Sequence, residues 1–118
     1  MVRSVKLNSG SSLPILGMGT VALSESQQQV KDALLTAIQV AAAAADADAQ
    51  AAICYSQVGY RHFDTTMLYG TKAALGDALV EAFSTGLVKC EEIFVTTKLW
   101  ITDNHPAAVL PALQTSLW

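Results

Sequence analysis

An α/β fold built on a parallel sheet and entered through a β-hairpin is what this sequence predicts. Short runs rich in β-branched and aromatic residues alternate with longer segments whose apolar residues recur at helical spacing. Glycine, asparagine, serine and proline punctuate the joins. A strand, helix, strand succession of this kind implies right-handed βαβ units. Periodicity alone fits both an open sheet and part of a closed barrel.

The elements follow in order. Asn8, Ser9 and Gly10 are turn formers between two short apolar runs, so residues 4–14 predict a hairpin. Pro14 cannot donate to a ladder and belongs at a strand start or edge. Ile15 to Gly19 predicts a short buried strand. Ser24, with Gln27 three residues on, has the pattern of a capping box. Val30, Leu34, Ala37 and Ile38 then mark a first helix over 26–40. Residues 41–52 differ in kind: nine of the twelve are alanine, broken by Asp46, Asp48 and Gln50. Alanine prolongs a helix, but this stretch has no large apolar stripe. Tyr60 to Asp64 predicts a strand, Thr65 to Thr71 a loop, and Lys72 to Phe83 a second helix with Ala74, Leu75, Ala78, Leu79 and Ala82 as its stripe. Gly86 stands where a helix ends. Ile93 to Lys98 predicts a buried strand, Ile101 to Pro106 a polar turn, and Ala107 to Leu117 a third helix with Pro106 in its first turn.

Composition narrows the function. The chain has 118 residues, which suits one small domain. With 52% hydrophobic and 14% charged residues it is not a disordered sequence. A net charge of −3 offers no basic surface for nucleic acid or anionic lipid. The N-terminus lacks a signal-peptide core, and Ala33 to Ala45 is too short and too alanine-rich to span a membrane. A soluble, cytoplasmic chain without nucleic-acid or membrane partners is expected. Cys54 and Cys90 have no metal spacing and are expected as free thiols.

Three strand ends carry the polar chemistry. Gly19-Thr20-Val21 follows the first sheet strand, Asp64 and Tyr69 the second, and Lys98 and Trp100 the third. Ligands in parallel α/β folds bind outside the carboxyl ends of strands, so the three groups are expected on one side. A tyrosine is a poor acid near neutral pH. An ammonium beside it favours the phenolate, and an aspartate holds that ammonium charged and oriented. Such a tyrosine can give a proton to a carbonyl oxygen as a hydride arrives from a nicotinamide.

The strings Leu7-Asn-Ser-Gly, Leu16-Gly-Met-Gly-Thr, Gly59-Tyr-Arg-His-Phe-Asp-Thr, Tyr69-Gly and Phe94-Val-Thr-Thr-Lys-Leu-Trp100 resemble the aldo-keto reductases. Thr96-Thr-Lys-Leu-Trp-Ile-Thr-Asp-Asn-His-Pro and Val109-Leu-Pro-Ala-Leu look most like plant members. The resemblance covers nearly all of the chain outside the alanine-rich stretch. It implies the N-terminal part of a (β/α)₈ TIM barrel, with a hairpin and about three βα units, and NADPH-dependent reduction of small-molecule aldehydes or ketones. By motif, it implies Asp64, Tyr69 and Lys98 as catalytic, with Tyr69 the general acid. It also implies Gly19, Thr20, Val21 and Asp64 at the cofactor and Trp100 at the substrate. Members are often monomeric, which leaves the oligomeric state unassigned.

The sequence departs from the family pattern in three ways. A fourth catalytic position, a histidine in a hydrophobic-run-His-Trp-Pro motif, has no match; His62 and His105 lie in other motifs. The later segments that grip the adenosine phosphate have no match either. A whole barrel takes roughly 250 residues, so an isolated, partial NADP-dependent oxidoreductase domain over 1–118 is expected to lack turnover. Finally, joining Val40 to Gly59 restores the family pattern without a gap, so residues 41–58 are expected to be an insertion. Plainer roles stand beside these. Asp64 could cap a turn, Trp100 could be packing, His62 is expected as a satisfied interior histidine, and His105 as a helix-entry residue. Asp46 and Asp48 are expected on a solvated face.

Overall fold

Leu7-Asn8-Ser9-Gly10 reverses the chain between β1 (Ser4–Lys6) and β2 (Ser12–Pro14), which pair antiparallel with Ser4 opposite Pro14. Gly10 N–H donates to Leu7 O at 2.9 Å and Leu7 N–H to Ser11 O at 2.8 Å. Gly10 stands at φ +88°, a left-handed conformation that a side chain would strain. The computed structural model in which these elements are seen describes residues 3–22, 25–39 and 59–117. Pro14 closes β2 in a two-stranded sheet, where its missing N–H breaks no ladder.

The second sheet is parallel, in the order β3 (Gly17–Gly19), β4 (His62–Asp64), β5 (Phe94–Thr96). The register aligns Gly19 with Asp64 and Asp64 with Thr96. Side chains alternate across a sheet, so Met18, Phe63 and Val95 share one face. Gly19, Asp64 and Thr96 share the other. Helices α1 (Gln27–Gln39) and α2 (Lys72–Ser84) pack on each other and bury the Phe63 ring completely. Leu34 and Ile38 of α1 and the buried row Ala74, Ala78 and Ala82 of α2 belong to the same cluster as the ring. The Lys31–Glu81 ion pair, at 2.8 Å, ties the outer surfaces of the two helices. A third helix, α3 (Pro106–Ser116), starts after His105, with Pro106 in its first turn as the sequence predicts.

Local signals account for the helix ends. Ser26 and Gln29 form a reciprocal capping box. Gln29 N–H donates to Ser26 Oγ at 3.2 Å, and Ser26 N–H to Gln29 Oε1 at 2.8 Å. The cap therefore sits two residues beyond the Ser24–Gln27 pair that the sequence suggested. Ser24 lies outside the described residues, and the Gln27 amide donates to Gly70 O at 2.8 Å instead. At the end of α2, Gly86 N–H donates to Phe83 O and Leu87 N–H to Ala82 O, with Gly86 at φ +73°. That is a Schellman ending, and it bears out the glycine stop.

Several expectations are corrected. The Ile15 to Gly19 strand is shorter and not buried: it begins at Gly17, and Ile15 and Leu16 are exposed. The Tyr60 to Asp64 strand pairs only from His62. The Ile93 to Lys98 strand covers Phe94–Thr96, Val95 is exposed, and Lys98 lies beyond it in the following loop. The physical reason is that α1 and α2 cover the middle of the sheet but not β5, and no residue of α3 is buried. The loops predicted at 65–71 and 101–106 each contain a 3₁₀ turn, Met67–Tyr69 and Ile101–Asp103. Cys90 is free and exposed. Cys54, Asp46, Asp48 and the expected insertion at 41–58 lie outside the described residues.

Candidate active site

Asp64, Tyr69 and Lys98 come together beyond the carboxyl ends of β4 and β5. Lys98 Nζ donates to both Asp64 carboxylate oxygens at 2.8 Å. It reaches Tyr69 Oη at 3.5 Å and stands 5.1 Å from the centre of the tyrosine ring. Each residue is placed differently. Asp64 ends a strand in register with Gly19 and Thr96. Tyr69 ends the 3₁₀ turn, with Tyr69 N–H bonded to Thr66 O at 3.2 Å, and Gly70 follows at φ +63°. Lys98 reaches back from the loop after β5.

Proton counting orients this group. An ammonium only donates, so Tyr69 Oη accepts from Lys98. The phenolic proton is thereby left free to point toward an incoming oxygen. The Lys98 side chain is 46% exposed, although the sequence placed Lys98 at the end of a buried strand. An exposed pair adds little stability, and its consequence here is orientation. Hydrogen bonding to Asp64 raises the Lys98 pKa above its ordinary value of 10.5, partial burial opposes this, and the bond to Tyr69 adds to the rise.

The sign of that shift predicts a pH dependence. A raised value in the folded state means the contribution is complete below 10.5 and is lost as pH climbs through the higher folded value. The stability difference between the native chain and Lys98→Met is therefore expected to stay level from about pH 7 to about pH 10 and to fall only above that. Urea titrations at stepped pH check this, and a difference that vanishes below about pH 9 contradicts it.

The other predicted site residues lie around this corner. Gly19 is exposed, and a Cβ built on it would meet nothing within 4 Å, so open room adjoins the strand end. Val21 is exposed. Thr20 is buried and turned inward: its N–H and its hydroxyl donate to Asp64 O at 3.1 and 3.2 Å. Its oxygen also lies 3.1 Å from Thr71 Oγ1. Thr71 is a buried polar residue that sequence reasoning passed over, because a threonine before a helix carries no signal of a partner 51 positions away.

Trp100, half-buried, lines a cleft of about 510 Å³ with Met67, Lys98, Leu99, Val109 and Leu113. Asp64 and Tyr69 are not among the residues lining it. Lys72 also borders this cleft, its ammonium 2.7 Å from Ser116 Oγ. A cation in the first turn of a helix runs against the helix dipole, and that was the one mark in the sequence that could have singled Lys72 out.

His62 is satisfied structurally, as expected. Pro14 O can only accept, so Nδ1, at 3.2 Å, carries the ring proton. In the neutral ring Nε2 then accepts from Thr96 Oγ1 at 2.8 Å. A Cβ on Gly17 would lie 3.0 Å from Nδ1, so the glycine leaves room for the ring. His105 precedes α3 without capping it through its side chain. Among the described residues no helix is long and apolar enough to cross a membrane.

No protein-family model matches the chain. Curated plant proteins do. It is 42% identical over 118 aligned positions to NADPH-dependent codeinone reductase 1-5 of Papaver somniferum, covering 98% of this chain and 31% of that protein. It is 44% identical over 117 positions to Protein REDOX 2 of Catharanthus roseus, with the same coverage, 98% and 31%. It is 41% identical over 105 positions to NAD(P)H-dependent 6′-deoxychalcone synthase of Glycine max, covering 89% and 28%. Among solved structures, a Bombyx mori aldo-keto reductase in complex with NADP superposes with a TM-score of 0.76 at 35% identity, over 98% of this chain and 33% of that one. The chain thus spans about a third of the length of the proteins it matches.

Proposed function

From the premise that this chain is an aldo-keto reductase sequence, with that family's fold, we propose that it carries the proton-donating corner of an NADPH-dependent reductase of small-molecule aldehydes or ketones. The observation that supports this reading most directly is the Asp64–Lys98–Tyr69 cluster, with Lys98 Nζ 2.8 Å from the carboxylate and 3.5 Å from the phenol. In this reading residues 1–118 belong to an NADP-dependent oxidoreductase domain and residues 41–58 are an insertion within it.

NADPH, when bound, supplies the hydride that goes to the carbonyl carbon. Tyr69 Oη gives its proton to the carbonyl oxygen, and the product is an alcohol. The phenolate left behind lies beside the Lys98 ammonium, which opposes its charge, and Asp64 keeps that ammonium in place. A proton from solvent restores the phenol. Gly19, Thr20, Val21 and Asp64 are the residues proposed to border the nicotinamide end of the cofactor, and the open space beside Gly19 is compatible with that role. Trp100, on the cleft that Lys98 also lines, is proposed to contact the substrate.

Titration of NADPH into the 118-residue chain, followed by cofactor fluorescence and by the thermal midpoint, tests the reading. Saturable binding with a raised midpoint is expected, since a ligand that binds only the folded state stabilises it. Turnover is not expected of residues 1–118 alone, which have no match to the family's fourth catalytic position; NADPH oxidation dependent on an added aromatic aldehyde would show that they build a complete site. A chain that melts cooperatively but shows no saturable NADPH binding overturns the proposal.

A further inference from the structure

The loop that carries Tyr69 starts at Asp64 and ends at Thr71, where α2 begins. Its two ends converge on one side chain. Thr20 donates both its N–H and its hydroxyl proton to Asp64 O, at 3.1 and 3.2 Å. A hydroxyl has a single proton, so the 3.1 Å contact with Thr71 Oγ1 is made by the Thr71 hydroxyl donating to Thr20 Oγ1. Both threonines are buried, Thr20 at 4% and Thr71 at 1% exposure, so water does not compete for these bonds. Two further bonds pin the same loop. Thr65 N–H donates to Thr96 O at 2.8 Å, and the Gln27 amide donates to Gly70 O at 2.8 Å.

We propose that Thr20 and Thr71 are positioning residues whose paired hydroxyls clamp the two ends of the Asp64–Thr71 loop and thereby hold Tyr69 Oη against Lys98. The role rests on the reading of Tyr69 as proton donor, but the clamp itself is a property of the fold. Lys98 can be contacted by Tyr69 only while the turn Met67–Tyr69 keeps its place between the clamped ends. Deleting the Thr20 hydroxyl leaves that of Thr71 buried without its partner and also removes a bond to Asp64 O, whereas deleting the Thr71 hydroxyl breaks the bridge alone; in both cases the loop end is released first. Thr20 thus acts on the reaction through Tyr69, in addition to its proposed place beside the cofactor.

The test uses the full 118-residue chain, labelled for magnetic resonance. Thr20→Val keeps shape and removes the hydroxyl; Thr20→Ser keeps the hydroxyl. In Thr20→Val the Tyr69 amide is expected to exchange with solvent about fivefold faster, as loss of one buried hydrogen bond implies. The Tyr69 ring signals are expected to shift, while the Ala78 amide in α2 keeps its protection. Thr20→Ser is expected to restore the native behaviour. Should Thr20→Val fail to fold, Thr71→Ala removes the same bridge from the other end and is read in the same way. A folded variant lacking either hydroxyl, with native Tyr69 exchange and ring signals, overturns the clamp. Neither readout needs NADPH or turnover, so the clamp and the proposed reductase activity stand or fall separately. In a chain that does turn over, the clamp lowers kcat in Thr20→Val with KM for the carbonyl little changed.

Discussion

In a chain that turns over, Tyr69→Phe is expected to lower kcat for carbonyl reduction by about 10²- to 10⁴-fold, the usual contribution of a placed general acid. The ring and its packing survive the change, and only the oxygen 3.5 Å from Lys98 Nζ is lost. NADPH affinity is therefore expected to stay near native, and KM for the carbonyl to change little. The reduction in kcat is expected at every pH, because phenylalanine has no proton to give. Steady-state kinetics alongside an NADPH titration decide the matter. A variant with kcat within about threefold of native would assign the proton to some other group. Lys98→Met separates the two partners: it leaves the phenol in place but removes the cation that would oppose the phenolate, so it too is expected to lower kcat.

Phe63→Ala is expected to reduce stability by about 3–5 kcal/mol, the largest effect of any single core truncation here. Phe63 is fully buried on the central strand of the parallel sheet, in the same cluster as Leu34 and Ile38 of α1 and the alanine row of α2. Those alanines have no rotamers with which to fill the space, so the cavity is expected to persist. Small domains are stable by only about 5–15 kcal/mol, and a loss of this size shifts the urea midpoint markedly or abolishes cooperative unfolding. A loss under about 1 kcal/mol would mean that the helices close over the gap. The consequence also reaches the site, because Phe63 precedes Asp64 in β4. A strand that slips at position 63 carries the carboxylate away from Lys98.

Much of this could be read from residue order. Alternation of patterns gives a parallel sheet, and the hairpin turn, the glycine stop at Gly86 and the apolar stripe of α2 are local signals. They depend on neighbours in sequence, so they survive without tertiary context. The capping residue of α1 was legible in kind but not in place, since Ser24 and Ser26 both precede a glutamine by three positions. Only the path of the chain selects the second. The strand lengths were over-read for the opposite reason. Apolar residues such as Ile15, Leu16 and Val95 look buried in sequence, yet burial depends on whether a helix from elsewhere covers them.

The sequence by itself determined the fold class, the order of the elements, the motifs shared with aldo-keto reductases, and the identities of Asp64, Tyr69 and Lys98 as a candidate site. These are properties of residue type and spacing. Tertiary structure alone decided that Lys98 is exposed and bonds both carboxylate oxygens, that Thr20 turns inward to meet Thr71, and that His62 is held by Pro14 and Thr96. Each of these pairs joins residues that are 34 to 51 positions apart. The direction of a hydrogen bond between groups so distant is set by where the packed sheet and helices bring their atoms, which no local pattern records.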